Sequence, residues 1–213
     1  MWIRSGIVIV LAASVVGGSV AASKGTMKED KTHIRKWNSF ADKLLALHRK
    51  LIKGRQVEVK SKIGGYSTHP RYFKEEKYYD KKTGKLISKI HWERKNPKNL
   101  HSIEIYVRDK QGRIVRDYSV TYLPEYRNSP VQTLINFHGY SGKMHGFRQF
   151  DASGDLIYEQ CEGIYKGKTV VHRMFEDMLI NGGPHAEKIM ASVPYKMCFK
   201  GVVKKIGKDF EPY

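Results

Sequence analysis

Apolar residues change period along the chain at Gly54. Upstream of it, Ile34, Trp37, Ala41, Leu44, His48 and Leu51 recur at alternating steps of three and four. Phe40, Leu45, Leu47 and Ile52 widen that stripe, and Lys, Arg and Asp fill the opposite side, the signature of a helix with one buried face. Thr26-Met-Lys-Glu29 has the form of a capping box, a hydroxyl for the N3 amide and a carboxylate reaching back to the cap. The spacing therefore predicts an amphipathic helix over 27–53, stopped by Gly54. His48 stands on the apolar stripe without ligand-type neighbours, which predicts a satisfied, half-buried histidine.

Downstream the period falls to two. Val57 and Val59 alternate with Glu58 and Lys60, and His101 to Val107 and Ile114 to Tyr122 alternate likewise. Three similar turns interrupt these runs: Tyr79-Asp80 to Gly84, Arg108-Asp109 to Gly112, and Phe150-Asp151 to Gly154. Each offers an Asp that can bond its own turn, a Gly able to take positive φ, and a returning apolar strand. Gly139 to Lys143 and Tyr165 to Lys168 read as two further tips. The predicted fold is α+β: an N-terminal amphipathic helix packed on a curved antiparallel β-meander of seven to ten strands, built from successive hairpins over about 55–171. The segment 172–213 is mixed. Two helical turns are expected over Arg173 to Ile180, another over Ala186 to Ala191, a last strand over Met197 to Ile206, and fraying from Lys208 to Tyr213.

The turns resemble the Tyr-Asp (RHS-type) hairpin repeat, in which a Tyr-Asp dipeptide precedes a Gly and a returning strand. Tyr79-Asp80 keeps the dipeptide, Phe150-Asp151 comes close, and Arg108-Asp109 departs from it. In outline, a helix with a sheet wrapped around it is similar to the periplasmic lipoprotein-carrier fold, whose concave face holds acyl chains, although no motif of that family is present.

Ahead of the helix, Arg4 and an uninterrupted apolar run from Gly6 to Val16 lead to Val20 and Ala22, the minus-three and minus-one positions of a signal-peptidase site. This predicts a signal peptide over 1–22, a single mature domain over 23–213, and a periplasmic or secreted location. The alternative is a retained anchor, for which Gly6 to Ala22 lies at the short end of the roughly 17–25 residues that a span needs. Once the signal is removed, no integral membrane protein is expected. Export places Cys161 and Cys198 in an oxidising compartment, where such a pair is expected as a disulfide.

Charge narrows the partner class. The chain has 213 residues with Lys and Arg exceeding Asp and Glu to give +18, and of its cations only Arg4 falls within the signal. Such an excess attracts polyanions over long range. Export directs this away from nucleic acid and towards an anionic envelope lipid, a polymer or an acidic protein. The densest aromatic-basic cluster, Arg71, Tyr72, Lys74, Lys77, Tyr79, Lys85 and Trp92, is the predicted partner surface.

Chemical motifs end in near-misses. Gly139-Tyr-Ser141-Gly142-Lys143 lacks the Gly that a nucleophile elbow needs two residues after Ser, and Gly163 to Thr169 is one residue short of a phosphate loop. No catalytic residue or cofactor is assigned. His138, His145 and His172 are the candidate metal ligands, His138 and His145 because an antiparallel turn between them could set them roughly opposite each other. The sequence thus points to an exported, non-enzymatic binding or assembly protein. The alternatives are an envelope hydrolase with an active site not evident in the sequence, and a lipid carrier with a concave sheet.

Overall fold

The computed structural model describes residues 31–122, 131–207 and 209–213, with side chains from Asn38 onward and at Arg35. The expected signal at 1–22 and the expected helix start at 27 lie outside these residues. Helix α1 spans Lys31–Ile52, and among the described residues nine strands follow: β1 Val57–Gly64, β2 Phe73–Asp80, β3 Leu86–Glu93, β4 Leu100–Arg108, β5 Ile114–Thr121, β6 Gln132–Ser141, β7 Met144–Phe150, β8 Leu156–Tyr165 and β9 Lys168–Phe175. Three short helices come last, α2 Glu176–Asn181, α3 Pro184–Ala191 and α4 Val193–Cys198. None of the described helices is long and apolar enough to cross a membrane.

The strands form one open antiparallel sheet in strict chain order. Local turn chemistry dictates that order, because each tight tip returns the chain beside the strand it has just left. All three Asp turns close in the same way. The Asp80 carboxylate accepts the Thr83 amide at 3.0 Å, Asp109 accepts Arg113 at 2.9 Å, and Asp151 accepts Ser153 at 2.8 Å. Gly84, Gly112 and Gly154 take φ of 68°, 76° and 88°, where a side chain would be strained.

Cross-strand partners share a face, so register sorts the side chains into two layers. Ile105, Tyr118, Ile135 and Phe150 align in one row across β4 to β7, and Ile90, Ile103 and Val120 in another across β3 to β5. All seven are essentially inaccessible. Phe40, Ala41, Leu44 and Leu47 of α1 join this core, with α1 lying against β3, β4 and β5. His48 is buried there as well: its Nδ1 lies 2.8 Å from Ser88 Oγ and its ring meets Tyr78 edge-on.

Over β6 to β8 the cover is α4 and the chain that follows it. Gly139 and Gly146 are cross-strand partners, and a Cβ on either would stand within 2.5 Å of the Cys198 carbonyl oxygen, so this pair forms the bare platform on which α4 rests. Cys161 and Cys198 are joined across that contact, with Cα atoms 5.6 Å apart.

Three features of the C-terminal part depart from the expectation. Arg173, Met174 and Phe175 continue β9, paired with Gln160, Glu159 and Tyr158, because Met174 buries against Ala186 and Ile189; helix begins only at Glu176. The segment 197–206 forms no strand. Arg148, ion-paired to Glu159, donates to the carbonyls of Val202 at 3.3 Å and Val203 at 3.1 Å, which removes them from any ladder. The end of the chain packs instead of fraying. Phe210 meets Phe40, Tyr118 and Phe137, and the Arg116 guanidinium lies 3.9 Å from the Tyr213 ring centroid. On the edge strand β1, Val59 and Ile63 remain nearly half exposed.

Candidate functional site

A cleft of about 380 Å³ opens where α1 ends between the β2–β3 and β4–β5 tips. A volume of this size suits a small ligand or the head of a larger one. Its walls carry Arg55, Lys85, Arg108 and Lys110, with Lys81 and Lys82 on the adjoining rim. The two turns require Asp80 and Asp109, and flanking lysines and arginines follow each, so two successive hairpins raise their cations side by side.

Among the described residues, two of these cations bond carbonyl oxygens and form no ion pair with a carboxylate. Lys85 Nζ donates to the Gly112 carbonyl at 2.9 Å, and Arg108 Nη1 donates to the same oxygen at 3.2 Å. Arg108 Nη2 reaches the Leu86 carbonyl at 3.5 Å, while its Nε is buried with no acceptor among the described residues. The carboxylates close by are committed elsewhere. The Thr83 amide above all holds Asp80 below its ordinary range, and Arg55 approaches it at 3.4 Å. Burial would raise Asp109, but the Arg113 amide and guanidinium outweigh it and hold the carboxyl low. Among the described residues, the wall thus carries two cations bonded to carbonyls beside two carboxylates that their own turns and arginines engage.

The predicted partner residues do not form one surface. Lys74 and Trp92 both bind Glu76, at 2.7 Å and 3.0 Å, on the side of the sheet where α1 packs. Lys77 and Tyr79 point to the opposite face, where Lys77 lies 3.5 Å from Glu75. Tyr72 donates to Glu93 at 3.2 Å, and the Arg71 carbonyl accepts from Arg94 at 3.4 Å, both beside the β1–β2 connection. Lys85 alone reaches the cleft. Arg55, Arg108 and Lys110 were missed because clustering along the chain separates residues that neighbouring hairpins bring together. The repeated Asp turns with basic flanks were the available signal.

The histidines divide as well. His138 and His145 meet on the uncovered face of the sheet, 3.1 Å apart between ring nitrogens. His172 pairs with Cys161 and so points to the other face, away from them. Elsewhere on the face opposite α1 lies a Ser-His-Glu line that the sequence did not reveal. Ser102 Oγ stands 2.9 Å from His91 Nδ1, and His91 Nε2 stands 3.0 Å from Glu75 Oε2. A neutral His91 satisfies both neighbours, donating to the carboxylate and accepting the hydroxyl. Burial lowers its pKa against the opposing pull of Glu75. Phe73 stacks on the ring at 4.0 Å, and Ser102 is only 5% exposed, so the line stiffens three strands under an aromatic cover. Ser141, the near-miss nucleophile, ends β6 at a hairpin.

In comparisons with protein-family models, curated proteins and solved structures, none matched the chain.

Proposed function

We propose that this chain is an exported, periplasmic or secreted, non-enzymatic binding protein that takes an anionic group of its partner in the hairpin-tip cleft. The observation that carries this reading is the convergence of Lys85 and Arg108 on one carbonyl oxygen, with no ion pair to a carboxylate among the described residues. In the proposed arrangement a helix steadies a curved meander from one side, and the rigid tips present cations at fixed spacing. The ligand chemistry is that of a phosphate or carboxylate, borne by an anionic envelope lipid, a polymer or an acidic protein. The filled apolar side of the sheet favours this over an acyl-chain carrier, and the covered Ser102 favours it over a hydrolase.

The test is co-sedimentation with vesicles of anionic or zwitterionic phospholipid, with a soluble polyanion as competitor. Binding is expected to anionic vesicles only, to fall as salt shortens the screening length from ~10 Å at 0.1 M to ~3 Å at 1 M, and to be displaced by the polyanion. A hydrogen bond from a charged donor contributes about 1.5–3 kcal/mol, so Lys85→Gln and Arg108→Gln should each weaken binding about tenfold or more. Lys110→Gln, at an exposed position, should weaken it less and leave the turn intact. Binding that ignores salt and all three substitutions would overturn the proposal.

A further inference from the structure

Four side chains from four adjacent strands form one line across the uncovered face: Asp117 on β5, His138 on β6, His145 on β7 and Glu162 on β8. His138 Nε2 lies 2.6 Å from Asp117 Oδ2, His138 Nδ1 lies 3.1 Å from His145 Nε2, and His145 Nδ1 lies 3.4 Å from Glu162 Oε1. The ring planes are within 13° of parallel with centroids 5.3 Å apart, so the imidazoles abut through their nitrogens.

Proton counting singles this line out. It has three links and each needs one N–H, whereas two neutral imidazoles supply two. In the tautomer that pairs both imidazoles with their carboxylates, the outer nitrogens carry the protons. The two inner nitrogens then face each other as lone pairs. Among the described residues, the flanking groups are bonded elsewhere. The second oxygen of Asp117 accepts the Asn136 amide at 2.7 Å, that of Glu162 accepts Gln160 at 2.7 Å, and Tyr140, whose ring covers His145, donates to the Ile114 carbonyl at 2.9 Å. Arg113, over Tyr140, is bound to Asp109. In that tautomer the pair offers two lone pairs to one cation.

We propose that His138 Nδ1 and His145 Nε2 form a binding site for a divalent transition metal, Cu²⁺ or Zn²⁺, with water completing the coordination. Imidazole nitrogen suits both ions, and affinity favours Cu²⁺. The outer carboxylates reproduce the carboxylate-histidine-metal arrangement on both sides of the site. Nitrogens bound at roughly 2.0–2.1 Å in adjacent positions of a metal stand about 3 Å apart, the spacing already present. The Glu162 link is the longest in the line and the His145 side chain is 31% exposed, which gives the ion an entry and the ring freedom to turn onto it. Among the described residues no set of three or more His, Cys, Asp or Glu converges on one point, so the protein supplies two donors and the metal exchanges readily.

The experiment titrates the purified protein with Cu²⁺, followed by electron paramagnetic resonance, and with Zn²⁺, followed by NMR of the histidine rings. One ion per chain is expected, with two-nitrogen hyperfine structure for Cu²⁺, and with the rings of His138 and His145 moving on Zn²⁺ addition ahead of His69, His172 and His185. His138→Gln and His145→Gln should each weaken binding at least tenfold, Asp117→Asn about 10–100-fold, and His172→Gln not at all. Circular dichroism verifies that each variant is folded, and the wild-type ring shifts answer the question even where one is not. Unchanged affinity in the His138 and His145 variants would overturn the site. So would wild-type rings that keep a proton between them and ignore excess metal.

Discussion

Gly146 and Gly139 work by what they lack. A methyl on Gly146 would stand 2.4 Å from the Cys198 carbonyl oxygen, so Gly146→Ala must lift α4 or bend β7. Forcing bulk into such a contact costs about 1–3 kcal/mol, whereas Gly207→Ala, with open space around it, should be neutral. Equal denaturant midpoints for the two variants would contradict the platform. His48 gives a pH signature. Burial first, and Arg49 second, lower its pKa below the model-compound value of 6.5, against a weaker opposing effect of Glu76. As pH drops through 6.5 the unfolded chain therefore binds this proton more readily than the folded one, and stability falls. The melting temperature should be lower at pH 5.5 than at pH 7.5, and His48→Gln should reduce the difference; an unchanged difference would show that His48 does not contribute. The three turn aspartates were legible in the sequence, because an Asx turn closes within four residues. The glycine platform was not, since its reason is an oxygen some fifty residues away.

At the level of elements, α1 and the hairpins could be read because their periods of about four and two repeat over many residues. The tail could not. Cys198, Val202 and Phe210 lie on the sheet singly, and their spacing is set by Gly146, Gly139 and Tyr118 beneath them rather than by any helical or extended period. Phe210→Ala is expected to destabilise by about 1–3 kcal/mol, and a value near zero in chemical denaturation would mean that the tail frays after all. The disulfide fastens the same cover to β8. Replacing Cys161 and Cys198 together by Ser should cost ~3–4 kcal/mol on a chain-entropy basis, read as a urea midpoint below that of the oxidised wild type and matched by the wild type once reduced. In the core of α1, Leu44→Ala should cost about 2–5 kcal/mol.

The whole molecule divides its labour between the two sides and one end of a single sheet. One side is apolar and covered, the other carries hydrogen-bonded polar lines, and the end with the β2–β3 and β4–β5 tips gathers cations around a cleft. The net charge of +18 is spread along the chain, and only folding shows where, among the described residues, cations stand without an ion-pair partner. Even the densest aromatic-basic stretch in the sequence is divided by strand alternation between two faces. The central claim is therefore one of place, and amide chemical-shift mapping during titration with inorganic phosphate tests it most directly. The account predicts saturable shifts centred on Lys81 to Lys85 and Arg108 to Arg113, and their loss in the Lys85→Gln, Arg108→Gln double variant. Shifts scattered over the surface, or centred on the opposite edge at β9, would contradict it.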